Sequence, residues 1–268
     1  MEIAFTKMSG AGNDFIFLGP EYARYADSGG LLARMLCPRK TSVGADGMVL
    51  VDKQDRVVMH YYNSDGTRAS FCGNGARCLV VYCIGKGIAT SPFEFESDWG
   101  KHIGKLTGGM PAVSLPLPEI VKELSLEVEG RVFEVTLVRS GVPHAIIMTD
   151  EVDTMDVKAL GRKIRYHTAF GAEGANVDFV SVLDRGRAKV RTYERGVEDE
   201  TLACGSGCVA AGYLLWKHGL TSETVDFEVT SGEVLSVEID EAHEQVFLAG
   251  PATIVYEGRI DLKELGDV

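Results

Sequence analysis

The sequence predicts a mixed helix-and-strand protein built as two similar domains. Three observations lead there. Apolar runs rich in Val, Ile, Phe and Tyr recur along the chain, punctuated by Gly, Asn and Asp turns. Helical character is confined to a few short segments. One unit, a strand, a loop, Cys-Gly-x-Gly and an apolar helix, occurs once in each half, with its cysteines at positions 72 and 204. The 268 residues, 45% hydrophobic and 25% charged, suit two medium globular domains with real cores.

Taken in order, Glu2 to Met8 reads as a strand, Ser9 to Asp14 as a Gly-rich turn and Phe15 to Leu18 as a second strand. Leu31 to Leu36 reads as a short helix, Met48 to Asp52 and Arg56 to Tyr62 as strands. The turn Asn63-Ser64-Asp65-Gly66 leads to Cys72-Gly73-Asn74-Gly75 and an apolar helix closed by Gly85. Short strands and turns fill Pro92 to Leu117. The prolines around 116–118 mark the expected boundary between domains 1–117 and 118–253, with a final strand from about 254 returning to the first.

In the second half, Arg131 to Arg139 and Ala145 to Met148 read as strands around a Ser140–His144 loop. Asn176 to Leu183 and Arg187 to Tyr193 form a further strand pair, and Glu194 to Ala203 is a polar connection. Cys204-Gly205-Ser206-Gly207 then opens a second apolar helix, Cys208 to His218. Tyr62 precedes Cys72 by 10 residues and Tyr193 precedes Cys204 by 11, so the duplication predicts two domains facing each other, each supplying one thiol.

The net charge of −12 argues against a nucleic-acid backbone or an anionic membrane surface as partner. No apolar stretch approaches the ~18–20 residues of a membrane span. The first residues lack the order of a signal peptide, so a cytosolic setting is expected. Six cysteines are too few for a disulfide scaffold. No Cys-x-x-Cys pair, no histidine at ligand spacing, no complete dinucleotide fingerprint and no phosphate-binding loop is present, so neither a metal nor a cofactor is expected.

A helix start carries unpaired N–H groups and the positive end of the helix dipole. Glycines there admit an anion, and a thiol there is pushed toward thiolate. Two such mouths around one anionic substrate would let one thiolate remove an α-proton while the opposite thiol delivers one, inverting the centre. The plain alternative is a tight turn beside a buried thiol that only fills space. The duplication favours chemistry for Cys72 and Cys204, and filler for Cys37, Cys78, Cys83 and Cys208.

These motifs resemble the diaminopimelate epimerase family: Gly10-Ala11-Gly12-Asn13-Asp14-Phe15, Asn63-Ser64-Asp65-Gly66 with Cys72 to Cys78, and Tyr193-Glu194-Arg195-Gly196 with Ala203 to Gly207. The resemblance implies an α+β fold of two pseudo-symmetric domains, each a mostly antiparallel curled sheet around a central helix. It implies cofactor-independent interconversion of LL- and meso-2,6-diaminopimelate, with Cys72 and Cys204 as the acid–base pair and a homodimer as the assembly. N–H groups at Gly73, Asn74, Gly205 and Ser206 would bind the reacting carboxylate. Asn13, Asn63, Asn176, Glu194 and Arg195 would bind the rest, Arg195 taking the distal carboxylate. His144 would lie beside the reacting centre; read alone it is an ordinary loop histidine, and Glu194–Arg195 a solvated pair. Two positions depart from the family pattern, Val142 where asparagine is usual and Gly47 near a usual glutamine. They leave room for another amino acid, such as proline, hydroxyproline or histidine, as substrate. A thiol redox protein and a non-catalytic anion-binding module are the rival readings.

Overall fold

A computed structural model describes residues 2–265. It divides into two compact units, Met1–Ser114 with Ala249–Val268, and Leu115–Leu248. The mixed α+β expectation holds: strands dominate and the α-helices are few and short.

In the first unit, Glu2–Gly10 pairs antiparallel with both Thr253–Asp261 and Asn13–Leu18. Asn13–Leu18 runs parallel to Gly47–Lys53, which pairs antiparallel with Val57–Asn63. Val57–Asn63 takes the short strand Arg68–Ala69 antiparallel and Phe93–Ser97 parallel, and Gly100–Thr107 follows antiparallel. Helix α1 (Gly29–Leu36) is the crossover of the first parallel pair, and helix α2 (Gly73–Gly85) that of the second. Such crossovers are what parallel neighbours require. Gly47 to Val51 is buried throughout, as a strand covered on both faces should be.

The second unit repeats this order of pairings. Arg131–Ser140 pairs antiparallel with Glu119–Val128 and Val142–Met148. Val142–Met148 runs parallel to Asn176–Asp184, across helix α3 (Val157–Arg165). Asn176–Asp184 pairs antiparallel with Arg187–Glu194, which takes Asp199–Thr201 antiparallel and Thr224–Glu228 parallel, across helix α4 (Gly205–Lys217). Val234–Asp240 follows antiparallel. Duplication is therefore present in the topology as well as in the cysteine motifs.

Helices α2 and α4 are apolar nearly all round, which is the signature of a buried helix. α2 touches strands far apart in its sheet, Thr253–Asp261 and Gly100–Thr107, and α4 touches Arg131–Ser140 and Val234–Asp240 likewise. Each sheet thus curls around its helix. Small residues allow the fit: a Cβ on Gly212 would lie 2.9 Å from Val237 Cγ1.

Some elements differ from the sequence reading. Val142, Pro143 and His144 belong to a strand, because Gly141 alone, at φ 72°, makes the turn and Ser140 pairs with Val142. The polar connection after Glu194 contains the strand Asp199–Thr201. Helix α3 was not among the elements read from the sequence, although Val157, Leu160, Gly161 and Ile164 fall on one face; Gly161 lets the helix lie against Tyr193. Among the described residues, no helix is long and apolar enough to cross a membrane.

Leu215 is wholly buried in α4. Replacing it with alanine should cost about 2–5 kcal/mol of stability, read from urea unfolding followed by circular dichroism.

Candidate active site

In both units the cysteine is the N-cap of the central helix, held extended at φ −143°, ψ 114° for Cys72 and φ −119°, ψ 102° for Cys204. Its carbonyl accepts the first helical bond, from Ala76 N at 2.8 Å and from Cys208 N at 3.0 Å. Ser, Thr, Asp and Asn are the usual caps, and a thiol in their place puts sulfur at the positive end of a buried helix.

Around Cys72, the Gly75 N–H points at Sγ at 3.5 Å. Burial pushes the Cys72 thiol up, while the Gly75 and Asn74 N–H groups, the Arg77 guanidinium and the Tyr61 hydroxyl pull it back. Burial, and then the neighbouring Cys72, keep the Tyr61 phenol protonated, so it stays a donor toward sulfur. Arg77 is fully buried and donates to Asn74 Oδ1 at 2.6 Å. Asn74 Nδ2 donates to Asn13 Oδ1 at 2.8 Å, and Asn13 Nδ2 to Asp46 Oδ2 at 3.0 Å. Arg39 anchors that chain by bonding Asp14 and Asp46, each at 2.6 Å. Asn63 stands apart from it and donates to Thr67 Oγ1 at 2.9 Å.

Around Cys204 the charges have the opposite sign. Burial pushes this thiol well above its ordinary value, and the Glu194 and Asp178 carboxylates push it further; bonds from Ser206 and Gly207 oppose them. Glu194 is itself raised by burial. His144 is fully buried, as is Asp178. Its Nδ1 lies 2.7 Å from Asp178 Oδ2 and its Nε2 lies 3.0 Å from Ser206 Oγ. A carboxylate only accepts, so Nδ1 carries the proton and Nε2 is the acceptor in the neutral ring. Asn176 Nδ2 also reaches Nε2, at 3.4 Å, and Asn176 Oδ1 accepts from Arg195 N at 2.8 Å. The Arg195 guanidinium lies 3.8 Å from Glu173, not on Glu194, so the solvated-pair reading does not describe it. His144 is likewise no loop histidine.

One donor atom each from His144, Asp178 and Cys204 lies within 4.8 Å of the others, close enough to share a cation. Both Asp178 oxygens are already engaged, however: Oδ2 by His144 and Oδ1 by the Thr192 hydroxyl at 2.7 Å. The group is complete as a hydrogen-bonded set. Linear spacing had placed no histidine near either cysteine; the parallel pairing of His144 with Asn176 supplies one.

A family model described as diaminopimelate epimerase matches residues 5–106 and 136–255. The chain belongs to the diaminopimelate epimerase family. A diaminopimelate epimerase of Hydrogenobaculum sp. is 40% identical over 95% of this chain and 97% of its own. One from Archaeoglobus fulgidus is 36% identical over 99% of each. Among solved structures, a phenazine biosynthesis protein of the PhzF family from Bacillus anthracis superposes with a TM-score of 0.72 at 12% identity, covering 97% of this chain and 99% of that one. A hydroxyproline epimerase from Agrobacterium vitis gives 0.68 at 14% identity, covering 100% and 95%. At those identities the likeness is one of fold.

One departure from the diaminopimelate epimerase pattern now has a physical account. A Cβ on Gly47 would lie 2.6 Å from the Tyr61 ring and 2.8 Å from its hydroxyl. Tyr61 therefore fills the space that a side chain at 47 would need, and its hydroxyl serves Cys72. Sequence reasoning gave no role to Tyr61, Asp178 or Thr192, which lie within strand runs, and took Arg77 only as part of the first cysteine motif. It also gave the glycine of the second motif only one role. A Cβ on Gly207 would collide with the Asp178 carboxylate, so this glycine makes room for the buried acid.

Burial pushes the thiols of Cys37, Cys78 and Cys83 up to about 12. In folded protein at neutral pH these three should stay unlabelled by iodoacetamide, as mapped by mass spectrometry, and react only on unfolding.

Proposed function

We propose that this chain is a cofactor-independent epimerase of 2,6-diaminopimelate that works through Cys72 and Cys204. The observation that carries the proposal is the recurrence of a thiol as N-cap of the central helix in both halves of a diaminopimelate epimerase family member. One thiolate takes the α-proton from one face of the carbon, the other thiol gives a proton to the opposite face, and the configuration inverts. An α-proton of an amino acid is weakly acidic. The first-turn N–H groups of Gly73, Asn74, Gly205 and Ser206 lower the barrier by stabilising the charge that grows on the carboxylate.

The two environments rank the thiols. Cys72 has the Arg77 cation and the Tyr61 donor beside it; Cys204 has Glu194 and Asp178. Cys72 is the more easily ionised of the pair and Cys204 the one held as thiol, an inequality that suits a two-base reaction. Asn13, Asn63, Asn176 and Glu194 supply polar contacts to the substrate, and the Arg195 fork takes its distal carboxylate. Six free thiols suit a reducing, cytosolic setting.

Incubation in heavy water with LL-diaminopimelate, proline or histidine, followed by NMR of the α-hydrogen, tests the reading. Exchange is expected with diaminopimelate and should fall about 10²–10⁴-fold in both Cys72→Ser and Cys204→Ser. Undiminished exchange in either variant overturns the two-thiol mechanism. Exchange with proline or histidine alone overturns the substrate.

A further inference from the structure

Asparagine occurs at only four positions in the chain, 13, 63, 74 and 176. Two of these residues meet side chain to side chain, Asn74 Nδ2 donating to Asn13 Oδ1 at 2.8 Å. An amide can be turned over with almost no change of shape, which exchanges its acceptor for its donors. A pair of amides can therefore run in either sense. What fixes the sense lies at the two ends. Arg77, which can only donate, gives a hydrogen bond to Asn74 Oδ1 at 2.6 Å. Asp46, as a carboxylate, can only accept, and it takes one from Asn13 Nδ2 at 3.0 Å.

We infer that Asp46 is a positioning residue for substrate binding: it closes this chain of hydrogen bonds, so that the Asn13 oxygen stays turned toward Asn74 and Asn13 meets a ligand as a donor. One Nδ2 hydrogen is taken by Asp46, and the other is left for an acceptor on the ligand, such as a carboxylate oxygen. An ammonium group, which has no acceptor, finds no partner in that N–H. The inference rests on the proposed place of Asn13 among the substrate contacts.

Asp46 is itself held from several sides. Its Oδ1 accepts from Arg39 at 2.6 Å, and its Oδ2 accepts from the Asp14 N–H at 3.2 Å as well as from Asn13. Its own N–H donates to the Asp14 carbonyl at 3.0 Å, and its carbonyl accepts from Ser64 N at 3.1 Å. These contacts tie it to the hairpin that carries Asn13 and to the turn that carries Asn63. Asn13 needs such a hold because it directly follows the two-residue turn Ala11-Gly12, whose φ angles are 46° and 88°. The charges of the cluster cancel. Lys7 lies 2.7 Å from Asp14, and Arg39 bridges Asp14 and Asp46, so two cations meet two carboxylates and these four side chains set no net charge against an anionic substrate. Arg39 is more than half exposed, and an exposed ion pair adds little stability. Positioning, more than stability, accounts for a carboxylate at 46.

The test reads the Asn13 amide directly. Protein made with isotopically labelled asparagine gives four side-chain amide signals by NMR, and the one lost in Asn13→Ala belongs to Asn13. In Asp46→Asn the new amide must turn its donor to Asn13 or to Arg39, each of which already donates there. The Asn13 signal should therefore move, while those of Asn63 and Asn176 stay. KM for diaminopimelate should rise about tenfold with kcat little altered, since the contact serves bound substrate and transition state alike. The decisive comparison is the double variant. Asp46→Asn placed in Asn13→Ala should have no further effect on KM, because Asp46 acts through Asn13; a merely structural loss would add to it. If Asp46→Asn does not fold, Arg39→Ala, at an exposed side chain, carries the same comparison with the same sign. An unmoved Asn13 signal, or additive effects in the double variant, overturns the inference. A moved Asn13 signal in a protein that exchanges no amino acid α-hydrogen supports the held amide and overturns the epimerase reading instead.

Discussion

The structure is organised around a thiol placed at the mouth of a buried helix. Burying a helix inside a curled sheet fills a core with little side-chain volume, and it also removes water from the first turn. The unpaired N–H groups there are then strong, fixed dipoles, because a low dielectric weakens neither their field nor their direction. The same burial opposes ionisation of the sulfur that caps the turn. Each cysteine is therefore held between two large and opposing effects, and small neighbours decide the outcome. That is why the side chains touching the two sulfurs matter more than the motif that carries them.

Those neighbours break the symmetry of the duplicated fold. The pairing order of the strands, the crossover positions and the cap geometry are the same in both units. The charges are not. Position 77, five residues after the first cap, is a buried arginine, and the equivalent position 209 is valine. Asp178, on the strand beside the second helix, has no acidic counterpart among the residues that set the Cys72 thiol. The two backbone frames are alike and the charges set in them are not. Arg77 on one side and Asp178 with Glu194 on the other supply that difference while the backbone stays the same.

The parts legible in the sequence are those with a local signature. Gly-x-Gly after cysteine announced both helix starts, Asn63 to Gly66 a turn, and alternating apolar residues many of the strands. Parts that depend on the third dimension were not legible. His144 looked like a loop residue because Gly141, Pro143 and a polar neighbourhood resemble a loop, yet one glycine makes the whole turn and the strand starts at Val142. Its partner Asp178 lies in a run of apolar residues and carries no motif. The two meet because their strands run parallel, joined across helix α3. Spacing along the chain says nothing about such a meeting.

Gly47 and Tyr61 show how a departure from a family pattern can be compensated within one protein. Read alone, a glycine at this place looks like the loss of a polar contact. In the fold, the strand Gly47–Lys53 lies against Val57–Asn63, and the ring of Tyr61 occupies the space above Gly47. A side chain at 47 and the ring at 61 exclude one another by contact distance. The phenol brings a hydroxyl that burial keeps protonated, so it donates to sulfur and never competes with it for a proton. A change at position 47 should accordingly be judged together with position 61, because a bulkier residue at 47 would move the donor away from Cys72 and so alter the ionisation of a thiol it does not touch.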